Sequence, residues 1–299
     1  MAVITESPVD AQIGEPAERR PFLSVCFDLI RRQPLGAAGA LIVVIMIAAA
    51  VLADVIAPYD PVINAYDRIH LAPSLENWLG TDQFGRDILS RIIYGARTAL
   101  FVGFACAFVG ATTGLVLGVA SAYFGGYFDL LFQRVMDVFM AFPLIILALA
   151  LVAIFGGKIE NDLVLVIIAI TIPFVPRCAR VVRSNALAIR EIPYVDAARA
   201  LGYSHSRIIL RHMAPNVMAP YLIMITAFVG QAILLEASLS YLGLGVQEPT
   251  PAWGLMLQGG AEEYAESAPW IAVFPGLAIT LAVFGFNLFG DALRDILDP

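Results

Sequence analysis

Hydrophobic and polar positions fall in long blocks along this chain rather than in short alternation. Uncharged, mostly apolar runs occupy residues 33–53, 98–128, 138–157, 163–176, 213–235 and 267–290. A helix rises about 1.5 Å per residue and about 20 residues cross the hydrocarbon of a bilayer, so five of these runs are long enough to span it. The fourth, LVLVIIAITIPFVP, is short and carries Pro173 and Pro176. Arg177 and Arg180 at its end can snorkel to the boundary, so it too counts as a span. The pattern predicts an all-α membrane protein with six transmembrane helices.

Between and around the runs lie polar pieces with patterns of their own. Residues 1–20 hold Pro8, Pro16 and several acids and read as a disordered tail. The stretch PFLSVCFDLIRR then reads as an amphipathic helix on the membrane surface, and the first run is too long for a cleaved leader and is expected to stay as an anchor. In residues 79–100, Ile88, Leu89, Ile92 and Ile93 form one apolar stripe. Asp82–Arg86 and Asp87–Arg91 are acid-before-base pairs at i,i+4. These features predict a helix lying on the outer surface and feeding the second span, with a solvated helical face as the alternative.

Few side chains inside the spans carry chemistry. Gly110, Gly114 and Gly118 form a small-residue ladder on one face of the second span, where another helix can approach closely. Asp129, Arg134 and Asp137 lie at the mouth of the third, with Arg134 and Asp137 spaced to pair. A structural pair is favoured over a transport site, and Pro143 is placed to bend the helix beyond. Glu236 is the other ionisable group near a span. Glu248, Glu262, Glu263 and Glu266 populate the last outer loop with no basic residue in that loop, which reads as a solvated surface.

Composition agrees: 60% of the 299 residues are hydrophobic and 14% charged, too little polar surface for a soluble domain of this length. Of the 18 basic residues, thirteen fall on the side that holds both termini and five on the other, so both termini are expected to be cytoplasmic. The net charge of −7 gives no support to nucleic-acid binding. Cys26, Cys106 and Cys178 are too scattered for a disulfide framework or a metal site and read as small apolar fillers. No phosphate-binding loop, no H-E-x-x-H and no nucleophile with a buried base occurs, so no catalytic, metal or cofactor site is expected in this chain. A secondary transporter is the rival from another class, but it calls for mid-membrane coupling residues and internal repeats, and neither is visible.

One polar element remains, YVDAARALGYSHSRIILRHMAPN at residues 194–216. Pro193 suits a first helical position, Asp196 the first turn, and Ala197, Ala198 and Ala200 keep the helix slim. Gly202 ends it by tolerating a left-handed conformation, Ser204 can cap a second short helix, and that helix is expected to stop before Pro215. The product is a stiff, slim elbow suited to a groove on another protein.

This segment resembles the Glu-Ala-Ala loop of inner-membrane permeases of ATP-binding-cassette importers, whose pattern is Glu-Ala-Ala, three residues, Gly, nine residues, Ile-x-Leu-Pro. Here Asp196-Ala197-Ala198, Gly202 and His212-Met213-Ala214-Pro215 stand at those places, with Asp for Glu and with His212 and Ala214 for Ile and Leu. LGTDQFGRDILSRIIYGARTAL, DLLFQRVMDVFMAFP, SLSYLGLGVQEPTPAWGLML and FPGLAITLAVFGFNLFGDALRDILDP resemble, in order, the second permease subunit of dipeptide and oligopeptide importers.

The resemblance implies a type I importer fold: a tail over 1–32, a first helix and outer segment over 33–97, a five-helix core over 98–291 with the coupling loop at 192–216, and a short C-terminus over 292–299. It implies a bacterial inner-membrane permease that forms half of a pathway with a homologous permease. Two ATPase domains, which use ATP and Mg, would dock on the elbows, and an external binding protein would deliver the cargo. Asp196, Ala197, Ala198, Arg199, Gly202 and Pro215 are then the coupling residues. Peptides are the first cargo expected, with nickel chelates or glutathione as alternatives.

Overall fold

The computed structural model describes residues 33–261, 264 and 266–297, so the tail, its amphipathic segment, Cys26, Glu262 and Glu263 lie outside the described residues. Among the described residues the chain is helical, with no β-strand. α1 (Pro34–Val51) continues into the short α2 (Ala53–Ile56), and an irregular cap with one 3-10 turn follows up to residue 87. α3 (Ile88–Phe124), α4 (Gly126–Met140), α5 (Leu144–Phe155) and α6 (Asp162–Arg190) make the first half of the bundle. α7 (Pro193–Ala200) and α8 (His205–Ile208) form the elbow. α9 (Met218–Tyr241), α10 (Trp253–Ala261) and α11 (Trp270–Leu297) complete the fold.

Among the described residues five helices are long and apolar enough to cross a membrane, and the bent pair α4–α5 makes a sixth span if counted as one. That pair turns by 92° at its break. Pro143, with no N–H to donate, stands at the N-cap of α5. α3 packs chiefly on α6 and α9, and α1 on α11.

Three expectations need correcting. Residues 79–100 do not form a separate surface helix, because 79–87 are turns and Ile88 already belongs to the 37-residue α3. Asp87 is its N-cap, its carboxylate accepting the Ser90 N–H at 2.9 Å. Of the stripe that suggested a surface helix, Ile88 is inaccessible while Leu89, Ile92 and Ile93 are half-buried, and Arg91 beside them is inaccessible under the cap. The fourth span is not short, since α6 runs for 29 residues through both prolines. Its polar half stays helical because α4 supplies acids to Arg180 and Arg183. The second elbow helix does not stop before Pro215 either. A π-turn (Ile209–Met213) and a 3-10 turn (Ala214–Val217) carry it into α9, so His205–Tyr241 is one helical stretch of 37 residues.

The glycine ladder lies where α3 meets α6. A Cβ on Gly114 would sit 2.6 Å from the Cys178 Cβ, one on Gly118 2.6 Å from the Ala179 carbonyl oxygen, and one on Gly110 2.9 Å from the Phe174 Cβ. Only hydrogen fits there. Cys106 and Cys178 are buried in the same interface region and carry free thiols.

Candidate functional site: the elbow and its attachments

The elbow is built from local hydrogen bonding. After α6, the Ile192 N–H donates to the Ile189 carbonyl at 3.1 Å, and Pro193 opens α7. α7 closes with the Gly202 N–H on the Arg199 carbonyl (2.9 Å) and the Tyr203 N–H on the Ala198 carbonyl (3.2 Å), the paired bonds of a Schellman end. That geometry needs a left-handed residue at 202, and Gly202 has φ +76°. No side-chain bond from Ser204 caps α8, although Ser204 stands at its N-cap.

Side chains then staple the two short helices together and to the bundle. The Tyr194 hydroxyl donates to the His212 carbonyl (2.9 Å), and the Asn216 amide donates to the same carbonyl at 2.7 Å. The His212 ring stacks on Tyr203 with centroids 5.9 Å apart, and Arg207 lies 4.3 Å above the other ring centre of that pair, Tyr203. The Tyr123 hydroxyl at the end of α3 hydrogen-bonds His205 Nδ1 at 2.7 Å. Ile208, Met213 and Val217 are fully buried and root the elbow in the core, with Met213 supplying the apolar contact beside His212.

The outward surface differs from the expected one. Asp196, Ala197, Arg199 and Gly202 are exposed, with Asp196 and Arg199 paired at 3.0 Å. Pro215 is also exposed, in the 3-10 turn. Ala198, however, is buried with Val195 against the bundle and is not part of a free face. The outward apolar side chains are Leu201 and Leu210, 73% and 68% exposed. Leu201 follows buried Ala198 by three positions and Leu210 precedes buried Met213 by three, so helical spacing gave no signal in the sequence that these two face outward.

The charged candidates do not converge. Arg134 and Asp137 are 3.8 Å apart and exposed, and the nearer partner of Asp137 is Arg180 of α6. Asp129 takes Arg183 Nε at 2.6 Å. These pairs lie at the elbow end of the bundle. Glu236 lies toward the other end, 1% exposed, accepting the Ser240 hydroxyl at 2.8 Å within α9.

At the end opposite the elbow a second polar centre holds the cap. Arg86 donates Nε to Asp82 (2.7 Å) and its two terminal nitrogens to Glu248 (2.7 and 3.0 Å). Arg91, wholly buried, reaches the Pro61 carbonyl at 3.0 Å and Glu248 at 3.3 Å. Thus the Asp82–Arg86 pair exists, though in a turn, whereas the spacing-based Asp87–Arg91 pair does not: Asp87 caps α3 and takes the Asn77 amide instead. Glu248 is not a solvated acid without a partner, because its arginines come from 157 and 162 positions away. Burial pushes its carboxyl up, but the Arg86 hydrogen bonds and the Arg91 and Arg86 charges outweigh that and hold it below the usual carboxylate range. Among the described residues no group of His, Cys, Asp and Glu could hold a metal ion.

The family described as "binding-protein-dependent transport system inner membrane component" matches residues 114–299. The chain belongs to that family. Residues 28–73 match the N-terminal TM domain of oligopeptide transport permease C. The chain is 45% identical over 270 residues to a protein named glutathione transport system permease protein GsiD from Escherichia coli O6:K15:H31 (strain 536 / UPEC), covering 90% of this chain and 88% of that one. GsiD of Shigella boydii serotype 4 (strain Sb227) matches to the same extent. In fold, the permease is similar to a chain from an inward-facing structure of the MetNI methionine ABC transporter, with a TM-score of 0.56 and 18% identity over 70% of this chain and 97% of that chain. It is a multi-pass membrane protein of the ABC importer class, and the elbow described above falls inside the matched region.

Proposed function

We propose that this chain forms half of the translocation pathway of an ATP-driven importer of small peptides, glutathione among them, and that separate ATPase subunits drive it through the elbow at 192–216. A homologous permease would complete the pathway, an external binding protein would deliver cargo, and ATP and Mg would be used by the ATPase subunits alone. Both termini and the elbow then face the cytoplasm of a bacterial inner membrane, the side on which basic residues concentrate.

The observation that carries this reading is the elbow itself: a stiff, hydrogen-bonded bend presenting Ala197, Leu201 and Leu210 outward while Ile208 and Met213 fasten it to the core. Leu201 and Leu210 are apolar anchors for a pocket on the ATPase, with Asp196, Arg199 and Arg207 at the rim. The likeness to GsiD favours a peptide-like cargo over a nickel chelate.

The test is reconstitution of the chain with its companion permease and ATPase in proteoliposomes. Uptake of labelled glutathione and of a dipeptide is measured with and without the binding protein. Leu201→Ser with Leu210→Ser should weaken ATPase association by about tenfold or more, as loss of interface anchors does. Undiminished association would refute the docking assignment, and uptake driven by a proton gradient without ATP would refute the importer reading.

A further inference from the structure

α4 is held to the rest of the chain largely by charge. Met136 is its one buried side chain among fifteen residues, so apolar packing grips it weakly. Asp129 receives Arg183 Nε at 2.6 Å together with the Ser121 hydroxyl, and Asp137 receives the guanidinium of Arg180. Both arginines stand on α6. The acids are about 12 Å apart along α4 and the arginines about 4.5 Å apart along α6, taking about 1.5 Å per residue. Two attachments so spaced fix the crossing angle of the helices as well as their separation. The Asp129–Arg183 pair is mostly shielded from solvent, which strengthens it, and the half-exposed Asp137–Arg180 pair adds orientation.

At each end α4 has a joint. Gly125 and Gly126 lead into it with φ +63° and +56°, and a Cβ on Gly126 would meet nothing within 4 Å. At the other end helical hydrogen bonding stops before Pro143, where the 92° break lies. α6, by contrast, runs from its arginines to Arg190 without interruption and enters the elbow through a single hydrogen-bonded turn, in which the Val195 N–H donates to the Ile192 carbonyl at 3.0 Å. A displacement of the elbow therefore reaches Arg183 and Arg180 through stiff structure and passes from them to α4. The second route, from His205 through Tyr123 and Phe124 at the end of α3, meets the Gly125–Gly126 joint and crosses it by the Phe124–Phe128 ring contact and the Ser121 hydroxyl on Asp129.

The geometry points to Arg180 and Arg183 as positioning residues of the transport cycle. By holding Asp137 and Asp129 they make α4 swing with the elbow between its two joints, and α4 thereby sets the opening of the pathway on the elbow side. This rests on the elbow being the place where the ATPase pushes.

The complete importer in nanodiscs provides the test. Cys26 is replaced by Ser; Cys106 and Cys178 are buried. Spin labels on α4 at Leu131 and on α1 at Leu41 report α4, and labels on α8 at Ser206 and on α1 at Leu41 report the elbow. Distances are measured before and after trapping with Mg-ATP and vanadate. In the unmodified chain both should shift. In Asp129→Asn with Asp137→Asn, the elbow shift should persist and the α4 shift vanish. Uptake should fall about tenfold at retained ATP hydrolysis, within the usual range of coupling between sites. Exchanging the charges (D129R with R183D and D137R with R180D) should restore the α4 shift. An α4 that still moves in the Asn variant, or a charge-exchanged importer that assembles without recovering the shift, overturns the assignment. If the Asn variant fails to assemble, the charge-exchanged importer decides alone. An elbow that stays still in the unmodified importer would instead overturn the docking reading.

Discussion

Arg86 and Glu248 lie 162 positions apart and close on each other through two hydrogen bonds of 2.7 and 3.0 Å. They join the irregular cap before α3 to the loop between α9 and α10, two segments with no regular pairing between them. Arg91 beneath them is fully buried, so the clasp also neutralises a charge that has no access to water.

Glu248→Gln is therefore expected to destabilise the chain by about 1–3 kcal/mol, less than the loss of a fully buried pair because Glu248 is 38% exposed. Thermal unfolding of the purified protein checks this. The pH dependence has a definite sign. The folded carboxyl titrates below its ordinary value, so the clasp contributes fully above about pH 4.5 and is lost as pH falls through the lower folded value. The Tm gap between wild type and Glu248→Gln should stay constant from neutral pH down to that region and narrow below it.

At Gly202 the obstacle to substitution is the backbone and not the surroundings, since an added Cβ would meet nothing within 4 Å. Gly202→Asn should be tolerated, because Asn adopts the left-handed conformation readily. Gly202→Val should cost about 1–2 kcal/mol locally and distort the end of α7. Uptake and ATP hydrolysis measured together should show Asn coupled and Val uncoupled. Equal behaviour of the two variants would contradict the role given to φ at this position.

Ala197 and Ala198 are neighbours in the sequence pattern but not in environment: the first is exposed and the second 4% accessible. Ala198→Leu should cost about 1–3 kcal/mol of stability through overpacking and so lower Tm. Ala197→Leu should leave Tm unchanged and weaken ATPase association. Pull-down of the ATPase alongside a melting curve separates the two outcomes.

Gly114→Ala places a methyl group 2.6 Å from the Cys178 Cβ and 2.9 Å from the Ala179 nitrogen, so α3 and α6 must part. A loss of about 1–3 kcal/mol is expected. Gly276→Ala on α11 is the control: its nearest neighbour would lie at 3.8 Å, and stability should hold or rise slightly. Yield and Tm in detergent report both.

The apolar blocks made five crossings legible in the sequence, and a sixth where the bent pair α4–α5 counts as one, because hydrophobic length is a local property. Their limits were not, because charges ended the runs on paper. Arg177 and Arg180 read as the end of a span, but α6 continues past them because the acids of α4 meet Arg180 and Arg183, and Arg97 likewise stays within α3 by reaching Asp54 at 2.8 Å. The closing turn of α7 could be read directly, since Gly202 and its hydrogen bonds lie within a few residues. The burial of Ala198 could not, because it depends on where α7 rests against the bundle. The clasp of Glu248 escaped for the same reason: spacing offered Arg91 a partner at Asp87, and the fold gave it one from the far loop.

The helical stretch His205–Tyr241 makes one further point about how such a bundle works. At about 1.5 Å per residue it is a beam about 55 Å long, and tilting it by about 10° about its middle moves each tip about 5 Å in opposite directions. A push on one face of the bilayer would thus widen one mouth as it narrows the other, as a seesaw does, with no messenger needed in between.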